Sequence, residues 1–189
     1  MNIETIKEDV KKALSEYRYI HSLGVMERAG ELAKIYGEDI ETAMLVGIAH
    51  DMAKEFSDEE MLKYAEANNL EMDEIERKMP ALLHGRIAGD ICKKRYGFTD
   101  EMTRSMDLHT TGFSNMTKLD KILYIADKTE PNRKFPDLEE AIEICNSDLD
   151  KGMLYCLDVA LKENIRKGKI IHPNTIIARN DILCNLNII

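Results

Sequence analysis

Turn formers are scarce in this chain, with 10 glycines and 4 prolines among 189 residues. An all-β fold built from many tight turns needs more of both. Cysteine is scarce too. Cys92, Cys145, Cys156 and Cys184 form no Cys-x-x-Cys pair and none sits close to a histidine, so neither a disulfide framework nor a cysteine-based zinc site is expected. They read as reduced core residues of a cytoplasmic protein. Long apolar runs are missing; the longest, Ala43 to Ala49, is far too short to cross a bilayer. The N-terminal stretch MNIETIKEDVKK carries mixed charge and lacks the form of a signal peptide. There is no basic block, and the formal net charge is −9, which argues against general affinity for nucleic acid or anionic membranes. Internal repeats, low-complexity tracts, linkers and convincing β alternation are not found either.

What is present is helical. Apolar residues make up 44% and charged residues 32%, an ordinary globular composition. Ala, Leu, Glu, Lys and Met are plentiful and favour helix. Ile3, Ile6, Val10, Ala13 and Leu14 form the apolar stripe of a first helix. A second carries Leu23, Val25, Met26, Ala29, Leu32 and Ala33 and stops at Gly37. Asp39 caps a third, which runs to His50. Ser57 to Glu60 has the capping-box form and opens a short helix ending near Asn68-Asn69. Asp73 to Glu76 opens another turn. Pro80 suits the first turn of a helix to about Tyr96, closed by Gly97. Thr99 or Asp100 caps a helix reaching His109, and Thr117-x-x-Asp120 caps one that runs through Ala126 and ends before Pro131. Asp137-x-x-Glu140 begins a helix to about Asn146, and a longer one spans about Leu149 to Lys167. The last starts near Thr175. The length suits one domain, so the expectation is a single all-α domain over residues 1–189.

An acidic chain poses a problem for any polyphosphate ligand, because local positive charge must come from somewhere; metal ions are one source. Four of the 5 histidines fall on core-facing sides of expected helices. His21 precedes Val25 by one turn, His50 follows Val46, His84 precedes Ile87 and Ala88, and His109 follows Met106. Asp127 follows Leu123. Residues three and four apart share a helix face, so these polar groups point inward. Unpaired burial of such groups costs several kcal/mol. For one histidine alone, a satisfied core residue is the ordinary explanation. Four histidines and an aspartate from five helices are satisfied together by metal coordination, since neutral imidazole and carboxylate are usual ligands for zinc, iron and manganese.

The adjacent pair His50-Asp51 sharpens this. At a helix end one of the two can ligate one ion while the other bridges two. Lys54 lies four after His50 and three after Asp51, placing it to contact a phosphate oxygen or leaving group. Arg18 precedes His21 by three positions. In Thr110-Thr111-Gly112, which follows His109, a hydroxyl such as that of Thr111 and backbone donors can hold a phosphate. Glu130, three after Asp127, can orient a ligand from behind. His172-Pro173 reads as a turn at a helix start, its histidine without an assigned role, and the 11 methionines as core filler.

The order His21 … His50-Asp51 … Asp127 resembles the HD-domain superfamily of metal-dependent phosphohydrolases, an all-helical bundle with a buried metal site. The added His84 and His109 resemble its two-metal members. RYIHSLGVMERAGELAKIYG, VGIAHDMAKE, LLHGRIAG, HTTG and LDKILYIADKTEPNRKFP are together similar to the YqeK-type symmetrical bis(5′-nucleosyl)-tetraphosphatases, over about residues 14 to 185. No ligand position is missing. The resemblance implies that His21, His50, Asp51 and Asp127 hold one ion, and that His84 and His109, with Asp51 bridging, hold a second. It implies iron, although manganese, cobalt, nickel and zinc suit the same donors. It also implies symmetrical cleavage of diadenosine tetraphosphate to two ADP, with Arg133 on the nucleotide phosphates.

The expected mechanism has a metal-bridged hydroxide attack an inner phosphorus in line with the leaving phosphate. Asp51, Lys54 and His109 stand at the reacting centre, and Arg18, Lys54, Thr111 and Arg133 contact the substrate. Two divalent ions against two carboxylates make the site locally cationic. Alternatives are a phosphohydrolase acting on a dNTP or another nucleoside polyphosphate, a di-iron oxygenase, and a non-catalytic nucleotide sensor. A homodimer is compatible with the sequence, which does not choose an oligomeric state.

Overall fold

The computed structural model describes residues 2–133 and 137–186. Among them are eleven α-helices and no strand. Local capping chemistry sets most boundaries. Helix α1 (Ile3–Ala13) is followed by the long α2 (Glu16–Tyr36), which Gly37 ends with φ 66°, a left-handed conformation that costs a glycine little. Asp39 caps α3 (Ile40–Ala49) by accepting from Thr42 N, and His50 is the C-terminal cap. Capping boxes open α4 (Asp58–Ala67) at Ser57 and α5 (Glu74–Lys78) at Asp73. Thr99 caps α7 (Asp100–Leu108). Thr117 and Asp120 form the box that starts α8 (Lys118–Thr129).

Three details differ from the sequence expectation. The helix expected from Pro80 to Tyr96 is divided: Pro80–Leu83 is a 3-10 turn, and α6 proper is His84–Tyr96. The break puts His84 at the start of a helix, next to the chain reversal. Asp137 does not cap α9 (Leu138–Ser147) with its side chain; it sits at φ 60°, outside the extended conformation that a capping carboxylate needs. The last helix, α11 (Pro173–Asn185), begins two residues earlier than expected, because His172 itself caps it by accepting from Asn174 N. Helix α10 (Leu149–Arg166) lies between these two.

Helix α2 is the spine. It packs along α3 on one side and α8 on the other, while α6 pairs with α7, and α10 with α8, α9 and α11. A contiguous core runs from Ile6 and Val10 of α1, through Val25, Ile48, Ile87, Met106 and Leu123, to Ile182 of α11. Close helix approach depends on two missing side chains. A Cβ on Gly47 would lie 2.8 Å from Met26 Cα, and one on Gly85 would collide with Met106 O. These glycines therefore seat α3 on α2 and α6 on α7. All four cysteines are free, but Cys184 is exposed, so the expectation of four core cysteines holds only for Cys92, Cys145 and Cys156. No described helix is long and apolar enough to cross a membrane.

Candidate metal centre

The polar residues picked out by helical spacing meet at one place. His21 comes from the second turn of α2, His50 and Asp51 from the end of α3, His84 from the start of α6, His109 from the end of α7 and Asp127 from the last turn of α8. All six are buried. Asp51 is shared by two groups of three ligand-type residues, His21–His50–Asp51 and Asp51–His84–His109; in each, ligand atoms lie within 4.8 Å of one another. Asp127 Oδ1 joins the first group, 3.0 Å from His21 Nε2 and 3.7 Å from His50 Nε2. Asp51 Oδ1 lies 3.0 Å from His84 Nε2 and 3.7 Å from both His50 Nε2 and His109 Nε2.

The outward-facing nitrogens explain which way the imidazoles point. His50 Nδ1 donates to Gly47 O at 2.7 Å, His84 Nδ1 to Ala81 O at 2.6 Å and His109 Nδ1 to Met106 O at 2.6 Å. Each acceptor is three residues earlier in the chain. His21 differs: its Nδ1 donates to the buried carboxylate of Glu130 at 3.1 Å. Glu130 also accepts from Asn132 N at 2.7 Å and fills the space where a Cβ on Gly24 would stand. A proton held outward on Nδ1 leaves the Nε2 lone pair facing inward, the tautomer a metal ligand needs.

That arrangement leaves inward-facing acceptors short of donors. His84 Nε2 and His109 Nε2 face each other at 3.0 Å, and with both Nδ1 atoms protonated neither has a hydrogen to offer the other. Protonation is no escape, because burial lowers the pKa of both rings, that of His109 to about 3. His50 Nε2 and Asp51 Oδ1 are buried without a hydrogen-bond partner. Burial works against charge on Asp51 and Asp127, but His50 and Lys54 beside Asp51, and Lys128 with His21 and His50 beside Asp127, hold both carboxyls well below the usual range. His50 itself is raised, because Asp51 and Asp127 outweigh its burial. Inward lone pairs and ionised carboxylates make a donor set that fits divalent metal ions.

Over the ligands opens a cleft of about 180 Å³. Four basic side chains line it: Arg18, Lys54, Lys128 and Arg133. Arg133 grips Asp127, donating from Nε to its carbonyl at 2.7 Å and from Nη2 to Oδ1 at 2.6 Å. Lys54 Nζ lies 2.9 Å from His84 Nε2 and 3.7 Å from Asp51 Oδ1, so it sits among the ligand atoms, and burial lowers its pKa. Arg18 Nη1 is 3.7 Å from Asp51 Oδ2. Sequence reasoning missed Lys128, which reaches Asp127 Oδ2 at 2.6 Å and lies over the Tyr124 ring at 5.1 Å. It looks like an ordinary basic residue in a last helical turn, and only its position beside Asp127 hinted otherwise. Tyr17 was missed as well. Thr111 does not line the cleft; its hydroxyl donates to Gly112 O, and Thr110 takes the lining position with Oγ1 3.3 Å from His109 Nε2. His172 is remote in role: it pairs with Asp73 at 2.7 Å and ties α11 to the start of α5.

The helical bundle gathers an adjacent His-Asp pair with three further histidines and a second aspartate, and residues 18–132 match the HD domain family model. The chain belongs to the HD domain family. It is 35% identical over 175 residues to the symmetrical bis(5′-nucleosyl)-tetraphosphatase of Halalkalibacterium halodurans, covering 92% of this chain and 93% of that protein. It is 36% identical to the protein of the same name from Staphylococcus aureus, covering 93% and 92%. A crystal structure of a predicted HD superfamily hydrolase involved in NAD metabolism, from Clostridium acetobutylicum, superposes with a TM-score of 0.94 at 36% identity over 98% of both chains.

Proposed function

We propose that this protein is a metal-dependent hydrolase of dinucleoside tetraphosphates that cuts diadenosine tetraphosphate symmetrically into two ADP. The observation that carries the reading is the paired ligand groups sharing Asp51 under a cleft lined by four basic side chains. Full-length similarity to symmetrical bis(5′-nucleosyl)-tetraphosphatases supports the substrate. A closed structural metal site would have neither a shared carboxylate nor an open cationic mouth. We take the site to hold two divalent ions, the first on His21, His50, Asp51 and Asp127, the second on His84, His109 and the bridging Asp51. We take them to be iron, although the donors suit manganese, cobalt, nickel and zinc as well. One contiguous core supports treating residues 1–189 as a single domain, and four free cysteines support a cytoplasmic setting.

Bound divalent ions supply Lewis acidity and a water nucleophile at neutral pH. The chain does the rest. Attack at an inner phosphorus breaks the central P–O–P bridge, the water oxygen joining one ADP while the bridging oxygen leaves with the other. Arg133 and Lys128 flank Asp127 on one side of the cleft, and Arg18 and Lys54 flank Asp51 on the other. Charge developing on non-bridging and leaving oxygens is neutralised from both sides. Were His84 and His109 to hold an ion, the Lys54 ammonium, which lies 2.9 Å from His84 Nε2, would be free to pair with phosphate. The local positive charge that an acidic protein needs therefore comes from side chains as well as ions.

The test is product analysis with metal-loaded enzyme. Two ADP from diadenosine tetraphosphate is the expected result. AMP plus ATP, or no turnover alongside rapid dNTP hydrolysis, would overturn the substrate assignment.

A further inference from the structure

Ten residues line the cleft; nine are charged, histidine or threonine side chains, and Tyr17 is the one with a benzene ring. It is 77% exposed, the most exposed large apolar side chain among the described residues. Its ring takes part in none of their aromatic or cation–π contacts. Position adds a second observation. Tyr17 directly precedes Arg18 in the first turn of α2 and lies four residues before His21. Residues four apart share a helix face and are separated by about 6 Å along the axis. The ring therefore stands one turn outward from a metal ligand, at the rim of a cleft whose interior suits phosphates.

We infer that Tyr17 is the platform on which one nucleobase of the substrate stacks. The inference rests on the nucleotide reading above and extends it to the half of the substrate that the ligand cluster cannot hold. With phosphates among Arg18, Lys54, Lys128 and Arg133, a ribose and its 5′-phosphate span the turn between His21 and Tyr17. Stacking of a base on an aromatic ring tolerates any base, because every base has a π face.

The experiment compares wild type, Tyr17→Ala and Tyr17→Phe, all metal-loaded, by calorimetric binding of ADP and of inorganic tripolyphosphate, with KM and kcat for diadenosine tetraphosphate. Tyr17→Ala is expected to weaken ADP and raise KM roughly tenfold, while leaving tripolyphosphate binding and metal content unchanged. Tyr17→Phe keeps the ring and stays near wild type. Equal ADP binding by wild type and Tyr17→Ala, or equal weakening of ADP and tripolyphosphate, overturns the assignment. So does loss of the effect's rescue by phenylalanine. Failure of wild type to make two ADP would instead sink the substrate assignment, and the ADP-against-tripolyphosphate comparison would still decide the role of Tyr17.

Discussion

At the scale of single residues, Asp51 and His84 carry different parts of the centre. Asp51 Oδ1 is buried, unpartnered and within 3.7 Å of three imidazoles and Lys54. Its loss removes the one ligand that both groups share. We expect Asp51→Ala to abolish turnover and bind neither ion firmly. His84 belongs to one group only, so His84→Ala is expected to retain about one ion per chain. Metal counting by plasma emission reads both; two ions in His84→Ala would break the two-group assignment. Most of these residues were legible in the sequence, because a histidine or aspartate in register with Val, Ile, Leu or Met on a helix must be buried with them. What spacing could not reveal was partnership across helices. The contact of Glu130 with His21 depends on how α8 lies against α2.

At the scale of elements, the metal centre depends on how closely helices approach. Gly85 follows His84 at the start of α6, and a Cβ there would collide with Met106 O, the acceptor that orients His109, and come within 2.9 Å of His109 Nδ1. One methyl group would thus push α6 from α7 and tilt a ligand on each. We expect Gly85→Ala to cost about 1–3 kcal/mol in urea denaturation and to lose the second ion more readily than the first. Unchanged stability with full metal content would show that α6 relocates freely. Helix boundaries were readable where capping chemistry is local, as at Ser57, Thr99 and Thr117. The 3-10 break before His84 was not, since Pro80 alone does not say how many residues precede the first full α turn.

At the scale of the whole molecule, the gathered imidazoles make stability depend on pH and metal. His84 and His109 are held neutral when folded, against about 6.5 when unfolded. The unfolded chain therefore binds more protons, and the stability these two contribute is present above pH 6.5 and lost as pH falls towards their folded values, at up to about 1.4 kcal/mol per pH unit each. His50 acts in the opposite sense: its raised pKa gives stability below 6.5 that is lost as pH rises through the folded value. Asp51 and Asp127, held low, add a loss only below about pH 4. The metal-free protein is expected to melt at progressively lower temperature from pH 7 to 4.5. A flat or rising melting temperature would contradict the neutral assignment of His84 and His109. Saturating metal should raise the melting temperature at pH 7 by the linkage of binding to folding, and chelator should reverse it.

The amino-acid sequence by itself determined most of the helices, the inward faces and the candidate ligand residues, because these follow from periodicity and capping within single elements. The scarcity of turn formers already argued against an all-β fold, and no apolar run is long enough for a membrane-spanning helix. Only the tertiary structure decided that Asp51 belongs to both ligand groups, that Lys54 sits among them, that Thr110 and not Thr111 faces the cleft, and that Tyr17 stands at its rim. Each of these is a distance between atoms on different helices or a choice between adjacent turn residues, and such distances are set by packing rather than by local pattern.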